Sequence, residues 1–208
     1  MLSPRLLALW FSITLSALAA SQPNLLIITV DDMSADSLGI FGAELANTSP
    51  TIDRLAREGM RFNQAHVVVG NCFPSRNVMW SGIYPHNTGV EGFYQIRNPH
   101  HLHLSDIMQR GGYYTGIFHK VSHSTPYHPY PSWDVDLTVD PEGNKRHIKA
   151  AQSFYDGMAQ GIAAAQAENK PFCLVMNTSD PHKPLYAQAR DGSTIPDPHV
   201  PTRVFTPD

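Results

Sequence analysis

One cysteine stands in a stretch whose residue types and spacing suit chemistry, "GNCFPSRNVMWSG". Cys72 precedes Pro74 by two positions and Arg76 by four, and Cys173 is the other cysteine of the chain. Four residues make about one helical turn, so Arg76 follows Cys72 on the same side of a helix if the stretch is helical. In an oxidising compartment, however, two cysteines form one disulfide by default. The residues alone leave two roles open for Cys72, a reactive group or a disulfide partner of Cys173.

Polar residues follow three apolar runs of strand length. The runs are "LLIITV" at 25–30, "YYTGIF" at 113–118 and "PFCLVMNTS" at 171–179. In a parallel sheet, ligands bind beyond the carboxyl ends of the strands, so side chains that follow the strands share one edge. The residues expected at that edge are Asp31, Asp32, Lys120, His123, Asp180 and His182.

Asp31 and Asp32 are adjacent carboxylates at the end of the first run. Consecutive side chains of a strand face opposite ways, so both reach one ion only if the strand bends there. One interpretation of the pair is an exposed turn, and the other is a site for a hard divalent cation. Ca²⁺ suits such oxygen ligands and takes about 6 to 8 of them.

Helix-like segments alternate with the apolar runs. The segment "TSPTIDRLAREG" predicts a helix with Thr48 or Ser49 as its N-cap and Gly59 as its terminator. Other expected elements are a strand at 60–69, helices within 74–82, 103–112 and 152–169, and a loop at 123–131. This alternation predicts an α/β fold, with a mostly parallel sheet and helices on both faces.

The first residues, "MLSPRLLALWFSITLSALAA", have the pattern of a signal peptide. Arg5 precedes an apolar run from Leu6 to Leu18, and small residues end at Ala20. The run is shorter than the roughly 20 apolar residues that span a bilayer. We therefore expect residues 1–20 to direct export to the periplasm or outside the cell, without a membrane span.

Composition and charge narrow the class of partner. The 208 residues are 42% hydrophobic and 16% charged, which is ordinary for a globular protein with a buried core. The formal net charge is −3, and the sequence has no run of basic residues. Phosphate backbones are bound by clustered Lys and Arg, so these features argue against a nucleic-acid partner.

The stretch "CFPSR" fits the C-x-P-S-R signature of the sulfatase family, in which the cysteine is oxidised to formylglycine. The stretch "PNLLIITVDDMSADSLGIFG" resembles the family's first strand with its metal-binding Asp pair, and "SPTIDRLAREGMRFNQAH" resembles its next helix and strand. The spacing of Lys120 and His123 is similar to that of a family motif, and "NTSDPHKP" resembles the histidine loop of sulfamidase-like members. The resemblance covers nearly all of residues 23–207 and implies an alkaline-phosphatase-like fold.

The resemblance also implies cofactors. Asp31, Asp32 and Cys72 would hold Ca²⁺ or Mg²⁺, and a formylglycine-generating enzyme or an anaerobic maturase would convert Cys72. One hydroxyl of the hydrated aldehyde would attack sulfur, and deprotonation of the second would expel sulfate and regenerate the aldehyde. The cation would lower the pKa of the diol and polarise the sulfate oxygens.

Four further residues acquire roles from the resemblance. Arg76 would hold the diol or the metal carboxylates through its fork of donors. Lys120 would bind a sulfate oxygen, and His123 would orient the diol. His182 would protonate or bind the leaving-group side, since a histidine suits proton donation near neutral pH.

The sequence departs from the family pattern in two ways. His119 stands where a glycine often precedes the lysine. The family's later Asp-Asn or Asp-His metal pair and its smaller C-terminal domain have no counterpart before Asp208. We therefore expect the C-terminal part of the fold to be missing, and residues 21–208 to be the N-terminal portion of the sulfatase catalytic domain.

Three functions remain open at this point. The resemblance favours a sulfatase that hydrolyses a sulfate ester or sulfamate, on a sulfated saccharide or a simpler small molecule. A phosphonate or phosphate monoester hydrolase of the same superfamily is the nearest alternative, because such tetrahedral anions are similar in size. The third is a non-catalytic fragment, in which Cys72 and Cys173 form a disulfide and the Asp pair binds a structural ion.

Overall fold

The computed structural model describes residues 22–97, 99–125 and 132–182. Their four-stranded sheet contains β1 (Leu25–Asp31), β2 (Tyr114–Phe118), β3 (Val135–Asp136) and β4 (Phe172–Pro181), in the spatial order β1-β4-β2-β3. All three strand pairs are parallel. The predicted parallel sheet is therefore confirmed, and the carboxyl ends of its strands share one edge.

Five α-helices connect or cover the strands of the described ranges. They are α1 (Pro50–Glu58), α2 (Cys72–Ser81), α3 (Pro85–Thr88), α4 (Leu104–Arg110) and α5 (Ala151–Ala167). Helix α1 has Ser49 as its N-cap, Pro50 in its first turn and Gly59 as its C-cap, as predicted. Helix α2 ends at Gly82 in the left-handed conformation that favours glycine.

Helices pack on both faces of the sheet, which confirms that prediction. On one face, Phe118, Leu174 and Met176 form a core with Leu137, and side chains of α5 pack against it. On the other face, Ile117 and Val175 pack with Trp80 of α2, and α4 contributes Leu104. The two sets alternate along β2 and β4 because successive strand residues face opposite sides.

Two glycines let α5 approach the sheet closely. A Cβ at Gly157 would lie 2.9 Å from a ring carbon of Phe118, and one at Gly161 would lie 3.0 Å from Leu174 and Leu137 side chains. Both distances are shorter than ordinary carbon contacts. The glycines weaken the helix locally but allow its backbone to lie directly on the core.

The strand predicted at 60–69 is wrong, because these residues form turns and irregular backbone. Met60, Phe62 and Val67 are largely exposed, and no strand of the described ranges pairs with the segment. An apolar, β-branched run is not sufficient without a partner strand. Conversely, β3 has only 2 residues and carried no recognisable pattern.

Some predictions lie outside the described residues. These are the signal peptide at 1–20 and the part of the expected 123–131 loop from 126 onward. Among the residues that are described, no helix is long and apolar enough to cross a bilayer.

The alternative in which Cys72 and Cys173 form a disulfide is wrong, since both cysteines are free. Cys173 is fully buried and lies beside Leu25 at the beginning of β1. The Sγ of Cys72 instead lies 3.9 Å from Oδ1 of Asp31, where β1 ends. The length of the strand, about 20 Å, separates the two thiols, far beyond disulfide reach.

Candidate active site

The end of β1 bends between the two adjacent carboxylates. The register with β4 shifts between Val30 and Asp31, and Asp32 has a left-handed φ of 56°. The side chain of Asp31 is buried at 5% exposure, whereas that of Asp32 is 55% exposed. The bulge and the left-handed residue supply the bend that both carboxylates need to reach one ion.

Cys72 is the first residue of α2. The side chain of Asn71 accepts a hydrogen bond of 3.0 Å from the Cys72 backbone N–H and caps the helix. The Cys72 side chain is half-buried at a cleft of about 390 Å³, which residues of β1, the 67–71 segment and α2 line. The helix thus presents position 72 to an open space beside Asp31.

Arg76 lies one turn further along α2 and is buried. Its Nη2 lies 3.4 Å from Oδ1 of Asp31, and its Nη1 donates a hydrogen bond of 2.6 Å to Oδ1 of Asn177. A further contact of 3.3 Å joins Nη1 to Oγ1 of Thr29. The fork of donors thus meets a carboxylate of β1 and an amide of β4.

Lys120 reaches the same carboxylate from the end of β2. Its Nζ lies 2.6 Å from Oδ2 of Asp31, and both side chains are buried. His119 and Lys120 have left-handed φ values of 58° and 53°. Such values are uncommon for residues other than glycine. The left-handed backbone at His119 explains physically why the family often has glycine there.

Opposing effects act on the acidity of Asp31. Burial alone would raise its pKa, but the hydrogen bond and charge of Lys120, with the charge of Arg76, outweigh burial. The pKa is therefore below its usual value of 3.8. Asp31 is a carboxylate at any pH near neutral, enclosed by two cations.

His123 lies on a 3₁₀ turn, Ser122–Ser124, near Lys120. Its ring centroid lies 5.6 Å from those of Phe73 and Phe93, and its carbonyl accepts a hydrogen bond from Asn77. Burial, and then the charge of Lys120, lowers the pKa of His123. Its buried Nδ1 has no hydrogen-bond partner within the described ranges. The imidazole is therefore neutral at physiological pH.

His182 follows β4 on the exposed side of the site. Its Nε2 lies 3.6 Å from Oδ2 of Asp32, and its backbone N–H donates to the carbonyl of Ser179. Nζ of Lys149 pairs with Asp180 at 2.8 Å and donates to the carbonyl of His182. Lys149 thus fixes the backbone on which His182 stands.

Six of the predicted residues come together as two contact sets, whereas the described contacts of His123 are with Phe73, Phe93 and Asn77. Oδ1 of Asp31 contacts Cys72 and Arg76, and Oδ2 contacts Lys120. Asp32 contacts His182. Asp31, Cys72 and His182 each have one potential metal-ligand atom, and these three atoms lie within 4.8 Å of one another. This proximity connects the two sets.

A comparison with protein families matches residues 23–194 to the family described as Sulfatase. The chain belongs to the sulfatase family. Arylsulfatase K of Gallus gallus is 25% identical over 181 residues, which are 78% of this chain and 34% of the relative. Arylsulfatase G of Canis lupus familiaris is 35% identical over 115 residues, 52% of this chain and 21% of the relative. The chain spans about a third or less of these curated relatives.

Solved structures give the same sulfatase fold. A protein bound to its substrate D-glucosamine-2-N,6-O-disulfate has a TM-score of 0.64 and 21% identity, over 78% of this chain and 35% of that chain. A member of the alkaline phosphatase superfamily from Vibrio parahaemolyticus has a TM-score of 0.59 and 16% identity, over 86% and 45%. At these identities the likeness concerns the fold, which is alkaline-phosphatase-like as predicted.

Sequence reasoning missed three polar residues of this candidate site. Asn177 and Thr29 contact Arg76 from β4 and β1, and Lys149 supports His182. Asn177 did carry a signal, because it is an amide inside an otherwise apolar run and is fully buried. Lys149 carried none, since an isolated lysine in a polar segment is ordinary.

Proposed function

We propose that the whole protein is a sulfatase that hydrolyses sulfate esters or sulfamates through a formylglycine made from Cys72. The observation that supports this proposal is the position of Cys72, 3.9 Å from a buried carboxylate that contacts both Arg76 and Lys120. One carboxylate between two cations leaves a local excess of positive charge. A negatively charged sulfate is attracted to such a cluster, most strongly where water is excluded.

A divalent cation, Ca²⁺ or Mg²⁺, fits the residues that are present. The carboxylates of Asp31 and Asp32 are hard oxygen donors at the bend where β1 ends. The thiol of Cys72 is a soft donor and suits such an ion poorly, whereas the oxygen atoms of formylglycine suit it well. Asp31, Asp32 and the modified residue 72 would hold the ion, which polarises sulfate oxygens when bound.

Side chains of this chain position the nucleophile and the sulfate. Formylglycine supplies a hydrated aldehyde with a nucleophilic hydroxyl, and Arg76 holds it in place from one turn along α2. Lys120 donates hydrogen bonds to a sulfate oxygen. The neutral imidazole of His123 accepts or orients a proton of the diol.

His182 is assigned to the leaving group. Its imidazole is 36% exposed, and its Nε2 lies 3.6 Å from Oδ2 of Asp32. A protonated imidazole at the open side of the site can donate its proton to the departing oxygen or nitrogen.

The proposed substrate is a sulfated saccharide. The N-acetylglucosamine-6-O-sulfatase of Bacteroides thetaiotaomicron is 24% identical over 174 residues, 78% of this chain and 31% of that protein. A relative of similar fold binds a glucosamine disulfate. We propose that the protein is exported by residues 1–20 and matured by a formylglycine-generating enzyme or anaerobic maturase.

A phosphonate monoester hydrolase is the second candidate. That of Agrobacterium radiobacter has a TM-score of 0.58 and 17% identity, over 81% of this chain and 46% of that chain. A phosphonate monoester is also a tetrahedral anion, so the cluster around Asp31 attracts it too. The two functions differ in which ester is hydrolysed faster.

The test combines mass spectrometry with turnover by the full protein, expressed with a maturase. The peptide that contains residue 72 should have lost its sulfur, and p-nitrophenyl sulfate should be hydrolysed faster than a phenyl phosphonate monoester. With a maturase that does not convert serine, Cys72→Ser should accumulate a sulfated residue 72, since serine lacks the second hydroxyl. Cys72→Ala should lose at least about 10⁴-fold in turnover, whereas the control Cys173→Ala should keep it. An unmodified Cys72 in an active enzyme would refute the mechanism.

A further inference from the structure

The carboxamide of Asn177 joins three elements at the candidate site. It is fully buried on β4, the strand between β1 and β2. Its Oδ1 accepts hydrogen bonds from Nη1 of Arg76, at 2.6 Å, and from Oγ1 of Thr29. Its Nδ2 donates to the carbonyls of Phe118 and His119, at 2.8 and 2.9 Å. Both amide hydrogens and both lone pairs are therefore in use.

These hydrogen bonds act on the two cations that contact Asp31. Through Oδ1, the amide sets the position of the Arg76 guanidinium. Through Nδ2, it holds the last carbonyl of β2, at Phe118, and the next one, at His119, immediately before Lys120. The left-handed backbone at His119 and Lys120 is unfavourable by itself, so it persists where surrounding contacts determine it. Asn177 provides such contacts from inside the sheet.

Other side chains cannot make the same set of bonds. Aspartate has the acceptors but no donor for the two carbonyls, and it would place a second carboxylate close to Asp31. Leucine has a similar volume but makes none of the bonds. Serine is too short to connect β4 with both neighbours. An amide of this length is what the arrangement requires.

We infer that Asn177 is a positioning residue, which fixes Arg76 and the backbone of Lys120 so that both cations face the sulfate site. The expected effect of Asn177 on turnover rests on the proposed function. The expected effect of Asn177 on the position of Arg76 does not. Asn177 acts through Arg76 and Lys120 and does not itself contact the substrate.

The first experiment observes Arg76 directly. In ¹⁵N-arginine NMR spectra, with the Arg76 signal assigned by Arg76→Lys, rotation of its Nη groups should be slow in the wild type because of the buried bonds. In Asn177→Leu the rotation should become fast. The control Thr115→Val removes another fully buried hydrogen-bonding group of the same sheet, at the beginning of β2, and should leave the Arg76 signal unchanged.

The second experiment measures hydrolysis of p-nitrophenyl sulfate in a double-mutant cycle. Asn177→Leu should lower kcat/KM by about 10²-fold, which is typical of a small displacement of catalytic groups. In an Arg76→Lys background the same change should cost less, because one of the two groups that Asn177 positions is already altered and only the loss transmitted through Lys120 remains. Thr115→Val should have equal and small effects in both backgrounds.

Each result decides one question. Unchanged Arg76 rotation in Asn177→Leu, or the same fold-loss in both backgrounds, would overturn the positioning role. If Asn177→Leu does not fold, Asn177→Ser replaces it, and the same NMR result is expected. A wild type that turns over no sulfate ester refutes the proposed function, and the NMR result still decides whether Asn177 positions Arg76.

Discussion

The candidate site has two halves that differ in exposure. The buried half consists of Asp31, Arg76 and Lys120, whose side chains are 5 to 8% exposed. The exposed half consists of Asp32 and His182, at 55% and 36%. The buried half is held by ion pairs, by the Asn177 amide and by left-handed backbone, whereas Asp32 and His182 share one contact of 3.6 Å. The difference indicates that the buried half stabilises the end of the sheet, whereas the exposed half contributes little to its stability.

Replacement of Asp31 and of Asp32, one at a time, should give the largest difference in stability between the two halves. Asp31→Asn leaves Lys120 and Arg76 buried without their counter-charge, so the free energy of unfolding should fall by about 3 to 5 kcal/mol. Asp32→Asn changes an exposed group and should alter it by less than about 0.5 kcal/mol. Urea denaturation measures both. Equal losses would show that burial does not distinguish the two halves.

Acid should weaken the buried half through His119. Burial, and then the charge of Lys120, lowers the pKa of this histidine from 6.5 to about 4. The unfolded chain thus binds a proton more readily, so the stability that neutral His119 contributes is lost as the pH falls from 6.5 toward 4. We expect a loss of about 2 kcal/mol, after allowance for solvent screening.

The variant His119→Asn tests this pH dependence. Asparagine tolerates the left-handed backbone but does not titrate, so the fall in unfolding free energy between pH 6.5 and 4 should become shallower. Burial also lowers the pKa of His103 to about 4, but this contribution is common to both proteins and cancels. Identical pH profiles would show that residues other than His119 cause the acid sensitivity.

The smallest effect is expected at the support of the exposed half. Lys149→Met removes the ion pair with Asp180 and the bond to the His182 carbonyl, which should lower stability by about 1 kcal/mol. It should also speed hydrogen exchange of the His182 amide. The matched control Lys170→Met removes an exposed pair with Glu168 and should change almost nothing. If His182 exchange were unaffected, Lys149 would not support that loop.

Much of the fold and part of the site could be predicted from sequence. Apolar runs with clear ends predicted β1, β2 and β4, and the residues that follow them do lie at one edge. Pairing is not local, however, so the run at 60–69 looked like a strand although no partner strand lies beside it. The spacing of the signature predicted that Arg76 lies one helical turn after Cys72, and both residues do lie on α2.

Other features of the site have no local signal. The left-handed backbone at Asp32, His119 and Lys120 depends on tertiary contacts, because the modest tendency of Asp and His to adopt it is too weak to identify these positions in the sequence. The role of Asn177 depends on which strands flank β4, which the linear order of the strands does not give. Sequence therefore identified the groups that could react, and the structure identified the groups that hold them.

The burial of Cys173 gives the protein a built-in reporter. Burial raises the pKa of this thiol to about 11, and its side chain is fully enclosed. A thiol-alkylating reagent under native conditions therefore reacts with Cys72 and not with Cys173. The fraction of folded chains that take up one label is then the fraction in which residue 72 is still cysteine. Under the proposed maturation, the unlabelled fraction is the matured enzyme.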